Sequence, residues 1–155
     1  MRLTTFSDYA LRVLMYAATA GERLITVEET ARVYGISRAH LMKVVNILTR
    51  MGHLRAVRGR AGGFALARPP ADINLGAVVR ATEPDFALVE CFATHNRCTI
   101  TGRCRLPGVL NEALGAFLAT LDGYSLADIL LQADDFALPD GVPARPEAAP
   151  SASRG

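Results

Sequence analysis

Apolar positions recur with helical spacing through the first third of the chain. Leu11, Leu14, Met15 and Ala18 stand at i, i+3, i+4 and i+7, the spacing of one buried face, in a helix predicted to open at Thr5 and stop at Gly21. Thr26 followed three residues later by Glu29 has the form of a capping box and starts a second, short helix through Tyr34. Gly35 supplies the turn conformation that residues with a Cβ resist. Ser37 then caps a third helix, Arg38 to Met51, in which Leu41, Val44, Val45 and Leu48 repeat the same period. Helix, glycine turn and capped helix form a helix-turn-helix pattern.

At about 100° per residue, the face of the third helix opposite its apolar stripe carries Ala39, Lys43, Asn46 and Arg50, with Ser37, Arg38 and His40 at its start. Lys and Asn can reach base edges, Ala can touch a thymine methyl, and Arg can hold a phosphate. Beyond Gly52 the runs 53–57 and 64–67 alternate in character, and Arg58-Gly-Arg60-Ala-Gly-Gly63 joins them. That pattern predicts a β-hairpin with a thin cationic tip, suited to phosphates or a minor groove. The glycines do not form a nucleotide loop, because no long buried strand precedes them and no capped helix follows at once. Residues 1–70 therefore read as a winged helix-turn-helix DNA-binding domain, and the fold class as mainly α with a small β-hairpin wing.

Pro69-Pro70 breaks the pattern. Ile73, Ala77, Val78 and Ala81 then predict a short helix ending before Glu83-Pro84. After an aperiodic segment, Pro107 opens a long helix at a position where proline is tolerated. Leu110, Leu114, Phe117 and Leu121 are spaced 4, 3 and 4 along it. That seam is long enough to pair with a second copy, as expected of small DNA readers that work as two-fold dimers. Ser125-Leu-Ala-Asp128 starts one more short capped helix. Residues 71–133 thus hold a loop and a dimerisation helix, and 134–155, rich in Pro, Ala, Ser and Gly, are expected to be a disordered tail.

Charge sharpens the division. Residues 1–70 carry eleven Lys and Arg against four Asp and Glu, a balance of +7; residues 71–155 carry six against eleven, a balance of −5. A basic first half beside an acidic second half points to a nucleic-acid surface at one end. No apolar run approaches the roughly 18 residues needed to cross a bilayer, and the first residues are amphipathic, unlike a secretory leader. No membrane partner is expected, and the chain reads as cytoplasmic.

The three cysteines, Cys91, Cys98 and Cys104, all lie within fourteen residues. An odd number argues against a closed disulfide framework, and thiols stay reduced in a cytoplasm. Three thiols in one short polar loop suit zinc, Cu(I) or an iron–sulfur cluster; the bland alternative is three small buried hydrophobes or one adventitious disulfide. None sits at a helix N-terminus or beside a paired His and carboxylate, so no enzyme is expected.

Thr5-Phe-Ser-Asp-Tyr-Ala-Leu-Arg12, Ser37-Arg-Ala-His-Leu-Met-Lys43, Val57-Arg-Gly-Arg-Ala-Gly-Gly63 and the three clustered cysteines, in that order, resemble the Rrf-type winged-helix regulators, and within them the NsrR-type, nitric-oxide-sensing iron–sulfur branch. The likeness runs from Met1 to about Leu131. It implies that Cys91, Cys98 and Cys104 bind an iron–sulfur cluster, [2Fe–2S] or [4Fe–4S], at the dimer interface. It also implies that Asp8 of the other subunit is the fourth ligand, although Thr5-Phe-Ser-Asp8 reads equally as a capping box. A related branch takes a histidine three residues after the last cysteine, where this chain has Pro107. His95 is the remaining nearby candidate and would complete a Cys3His set that also suits structural zinc.

The function implied is an iron–sulfur-dependent repressor that binds a pseudo-palindromic operator in double-stranded DNA as a homodimer and is released by nitric oxide. A zinc-stabilised or thiol-redox winged-helix regulator without a cluster is the alternative, the latter drawing a low thiol pKa from Arg97, Arg103 and Arg105.

Overall fold

The computed structural model describes residues 2–92, 95–132 and 135–136. Five helices and one hairpin follow in order: α1 (Thr5–Ala20), α2 (Val27–Tyr34), α3 (Arg38–Arg50), β1 (Leu54–Val57), β2 (Gly63–Leu66), α4 (Leu75–Thr82) and α5 (Leu106–Asp122). Short 3-10 turns occupy Pro70–Asp72, Glu90–Phe92 and Leu126–Ile129.

Helix α1 is the hub, packing on α3, α4 and β2. Its buried face is Ala10, Val13, Leu14 and Ala17, with Tyr16 beside them. The expected stripe was displaced by a fraction of a turn: Leu14 is buried, but Leu11, Met15 and Ala18 are half-buried on its flank. The true face is built largely from alanine and small β-branched residues, which let three elements approach closely. The cap is also one residue earlier than expected. Thr4 is the N-cap, its Oγ1 accepting from the Ser7 amide at 3.3 Å. Thr4 is itself fixed by Glu83, whose Oε1 accepts from the Thr4 amide at 2.8 Å and from its hydroxyl at 3.0 Å. The start of α1 is thereby tied to the segment that leads into the cysteine loop.

The helix-turn-helix forms as its sequence suggests. Thr26 caps α2 by accepting from the Glu29 amide at 3.0 Å. Gly35 takes φ 64°, ψ 30°, a left-handed conformation costly for a side chain. Ser37 caps α3, and Leu41, Val44, Val45 and Leu48 are all buried. Strands β1 and β2 pair antiparallel with Leu54 opposite Leu66 and Val57 opposite Gly63. Ile25 adds a third rung, exchanging backbone hydrogen bonds with Phe64 at 2.9 and 2.8 Å. That approach requires Gly63, because a Cβ there would collide with the Ile25 carbonyl.

Helix α4 begins later than expected and buries another face. Asn74 caps it, accepting from the Ala77 amide at 2.9 Å. Leu75, Gly76, Val78, Val79 and Thr82 are buried, whereas Ala77 and Ala81 are exposed. Ile73, fully buried, precedes the helix. Asn74 Nδ2 also donates to the Asp122 carbonyl at 2.7 Å, and Arg80 forms a two-pronged ion pair with the Asp122 carboxylate, fastening the end of α5 to α4. Ser125 and Asp128 complete a reciprocal capping box over the last 3-10 turn. No described helix is long and apolar enough to cross a membrane.

The expected tail, 134–155, lies outside the described residues apart from Asp135 and Phe136. There the structure departs from expectation: the Phe136 ring packs edge-on against Tyr16, centroids 5.3 Å apart, and against Tyr34 at 6.1 Å.

Candidate functional site

Burial of the Leu41–Leu48 stripe leaves the opposite face of α3 in solvent. Ser37, Arg38, Ala39, His40, Lys43, Asn46 and Arg50 are all exposed, as are Arg58 and Arg60 on the wing loop. Gly59, between those two arginines, has φ 117°, so the loop turns through a conformation that few side chains adopt. The residues do not all stand free. Arg38 Nε lies 2.8 Å from Glu28 Oε2 of α2, and the His40 ring sits 6.3 Å from that of Tyr9 in α1. Ser37 Oγ accepts from the His40 amide at 3.4 Å, a capping contact that leaves the residue at the helix mouth. Sequence reasoning passed over Met42 on this surface, which is 53% exposed. Methionine at helical spacing reads as core; the signal against that reading is its place one residue beyond Leu41, about 100° off the buried stripe.

The reading unit is braced from α1. Tyr16 donates to Glu29 Oε1 at 2.6 Å, and Arg23 engages both Glu29 oxygens at 2.7 and 3.1 Å. Glu29 therefore does not reach back to the Thr26 amide as a capping box would. Burial alone would raise the Glu29 carboxyl, but the Arg23 guanidinium and the Tyr16 hydroxyl outweigh it and hold the group below the usual carboxylate range. Tyr16 is pushed up to about 12 by burial and by its bond to that carboxylate. On the outer side of α1, Asp8 Oδ1 accepts from Arg12 Nε at 3.0 Å, so Asp8 makes an i,i+4 ion pair and is not the cap. The same Arg12 lies 5.9 Å from the centre of the Tyr34 ring in α2, and the Tyr34 hydroxyl donates to the Arg12 carbonyl at 2.9 Å.

The cysteine loop is held by its own polar side chains. Glu90 Oε1 accepts from the Arg97 amide at 2.9 Å, bringing the Cys91 and Cys98 segments together. Asn96 Oδ1 accepts from the Cys98 amide at 2.9 Å, and the Thr101 hydroxyl donates to the Cys98 carbonyl at 2.8 Å. The Cys104 amide donates to the Ile100 carbonyl at 2.9 Å, immediately before α5. All three thiols are free; Cys98 is exposed and the other two are half-buried. His95 is also exposed. Among the described residues, no three His, Cys, Asp or Glu side chains of one chain converge closely enough to hold a metal ion. The donor chemistry nonetheless fits a soft metal centre: three unpaired thiols on one surface loop, with a carboxylate candidate on a separate, solvent-facing helix.

Among the described residues the seam of α5 is only partly covered, by packing on α4. Leu110, Leu114, Phe117 and Leu121 are half-buried, Leu106 and Val109 are 52% and 61% exposed, and none of the seventeen residues is fully buried.

A helix-turn-helix with an exposed polar reading face, followed by a basic wing, defines a winged-helix DNA-binding regulator. Residues 3–132 match the Rrf2 family, described as iron-dependent transcriptional regulators, and the chain belongs to that family. It is 48% identical over 137 residues to the HTH-type transcriptional regulator NsrR of Bacillus subtilis (strain 168), covering 87% of this chain and 94% of that protein. It is also 48% identical over 132 residues to the regulator of the same name from Geobacillus kaustophilus, covering 84% and 90%. Among solved structures it resembles T. potens IscR, with a TM-score of 0.66 at 24% identity over 83% of this chain and 85% of that one. It also resembles the oxidised form of Staphylococcus aureus CymR, with a TM-score of 0.64 at 23% identity over 81% and 93%. At those identities the structures bear on the fold alone. The protein is a DNA-binding transcriptional regulator of NsrR type, not an enzyme.

Proposed function

We propose that this regulator is an iron–sulfur-dependent repressor that occupies a pseudo-palindromic operator as a homodimer and leaves it in response to nitric oxide. The observation that carries the reading is the cluster of three free thiols on one internally braced loop, in a chain close in sequence to regulators named NsrR. Cys91, Cys98 and Cys104 would hold a [2Fe–2S] or [4Fe–4S] cluster, with Asp8 of the second copy as fourth ligand. When bound, the cluster supplies iron that nitric oxide can attack.

The chain's own residues give that site a route to DNA. Within one chain Asp8 Oδ1 is paired with Arg12, so a ligating Asp8 would share its carboxylate with the guanidinium or give that pair up. Arg12 in turn rests against Tyr34 of the helix-turn-helix. The pairing state of Asp8 thereby bears on how α1 seats α2 and α3. Two reading helices must match half-sites about 34–36 Å apart, so a small rotation weakens operator binding. The half-buried seam of α5, with Leu106 and Val109 exposed beside it, supports dimerisation as the means of presenting two such helices.

The test is anaerobic purification with iron and sulfide analysis and a visible spectrum, followed by titration with nitric oxide and DNA-binding measurements. A brown protein that changes colour and loses its operator is expected. Each single Cys→Ala change should abolish the cluster, whereas Asp8→Ala should retain it with an altered spectrum. Equal operator binding by loaded and nitrosylated protein would sink the mechanism. A colourless, zinc-holding or reversibly disulfide-forming protein would favour the cluster-free alternative.

A further inference from the structure

Two large apolar side chains on the DNA side of the molecule are left in water: Met42 of α3, 53% exposed, and Val57 at the end of β1, 43% exposed. Scattered apolar residues on a surface need no explanation, but these two share one concavity. Met42, Val45 and Asn46 form one wall of a cavity of about 390 Å³, Val57 and Arg58 form the other, and Phe64 lines it as well. The cavity lies between the reading helix and the wing, the two elements a duplex would straddle. Among the described residues no carboxylate lines it, and Arg58 is the one charged side chain that does. Its chemistry is therefore that of an apolar recess with one cation on its wing side.

A duplex strand running between helix and wing offers the matching parts. Its phosphates suit Arg58. A thymine places its C5-methyl on the major-groove edge, the one apolar group that a base pair presents there. Lys43 and Asn46 can read polar base edges but neither can favour a methyl group.

We infer that Met42 is a specificity-determining residue, packing with Val57 against the C5-methyl of a thymine in each operator half-site while Arg58 holds an adjacent phosphate. This rests on the DNA-binding assignment, and the protein used throughout is prepared anaerobically with any bound metal retained. Burial of one methyl group is worth about a fourfold change in affinity per half-site.

The probe is a duplex selected from a random-sequence pool by the full-length wild-type protein. Each thymine is then replaced in turn by uracil, which removes the methyl and nothing else. Affinities are measured for wild type, Met42→Ala and Met42→Leu. The expected result is one thymine per half-site whose replacement weakens wild type about fourfold, with no further loss in Met42→Ala and most of the preference kept in Met42→Leu. Unchanged non-specific affinity of Met42→Ala would verify that the variant is folded. A methyl effect of the same size in Met42→Ala, or no methyl effect anywhere, overturns the inference. So does a Met42→Ala variant that reads DNA normally but sediments differently, since the recess would then belong to a protein contact. Failure of the pool to yield any preferred sequence would instead count against the DNA-binding assignment itself.

Discussion

Helices α3 and α5 carry the same apolar spacing and have opposite fates. In α3, Leu41, Val44, Val45 and Leu48 are shut into the core, and the polar face is left for DNA. In α5, Leu110, Leu114, Phe117 and Leu121 are equally periodic, yet no residue of the helix is buried. Periodicity therefore says that a stripe seeks cover, and the rest of the chain decides whether that cover is internal. Helix α1 supplies it for α3. For α5 the cover among the described residues is partial: the helix packs on α4, and Asn74 and Arg80 hold its Asp122 end.

The largest effects should separate those two stripes. Leu48→Ala removes a fully buried side chain and should lower unfolding free energy by about 2–5 kcal/mol in chemical denaturation, with operator binding lost only as the fold is lost. Leu114→Asp should leave the secondary structure and non-specific DNA affinity of a single chain intact. It should shift sedimentation toward monomer and cut operator affinity at least tenfold, because two linked half-sites become one. A Leu114→Asp protein that remains dimeric would break the contrast, and α5 would need another partner.

Next in size is the brace between α1 and α2. Arg23→Ala leaves Glu29 half-compensated in a mostly buried setting and should cost about 1–3 kcal/mol. The sign with pH follows from the depressed Glu29 carboxyl. Its contribution is present above the unfolded value, about 4.3, and is lost as pH falls through the lower folded value. Arg23→Ala should therefore flatten the acid limb of the stability profile, which thermal melts from neutral pH down to pH 3 will read. A parallel acid limb in the variant would show that the pair does not tune Glu29.

A smaller pH effect belongs to His53, which starts the wing. The ring is buried, its Nδ1 has no partner among the described residues, and burial, helped by Arg68, lowers its pKa. A group depressed on folding stabilises above its unfolded value, about 6.5, and loses that contribution as pH falls below it. His53→Phe should thus reduce the fall in melting temperature between pH 7 and pH 5. An unchanged slope would place the titrating group elsewhere.

The DNA-reading half was largely legible because its signals are local. A cap, a glycine with positive φ and a four-residue stripe need only their neighbours in sequence, and Thr26, Gly35, Ser37 and the α3 face stand where they were expected. The misplacements arose where tertiary contacts chose between nearly equal options. Alanines are ambiguous about which side they face, so the stripes of α1 and α4 were drawn off-centre. Thr4 displaced Thr5 as cap because Glu83, seventy-nine residues away, holds it. Glu29 looked like half of a capping box because neither Tyr16 nor Arg23 is visible as its partner in sequence. At the cysteine loop the donors were evident from composition. Among the described residues of one chain no three of them converge closely enough to hold a metal ion.

The smallest expected effect tests the reading half at its edge. Arg60 lies on the exposed wing loop, with no ion pair among the described residues. If it contacts a phosphate, Arg60→Ala removes one counterion-release event, and the slope of log affinity against log salt should shrink by about 1. The loss should be the same on operator and random DNA, because a phosphate contact carries no sequence information. That separates it from Lys43→Ala and Asn46→Ala, which should weaken the operator more than random DNA. An unchanged salt slope in Arg60→Ala would mean that the wing does not follow the backbone. Helix α3 alone would then be the DNA-facing element, with Arg58 and Arg60 left as solvated charge.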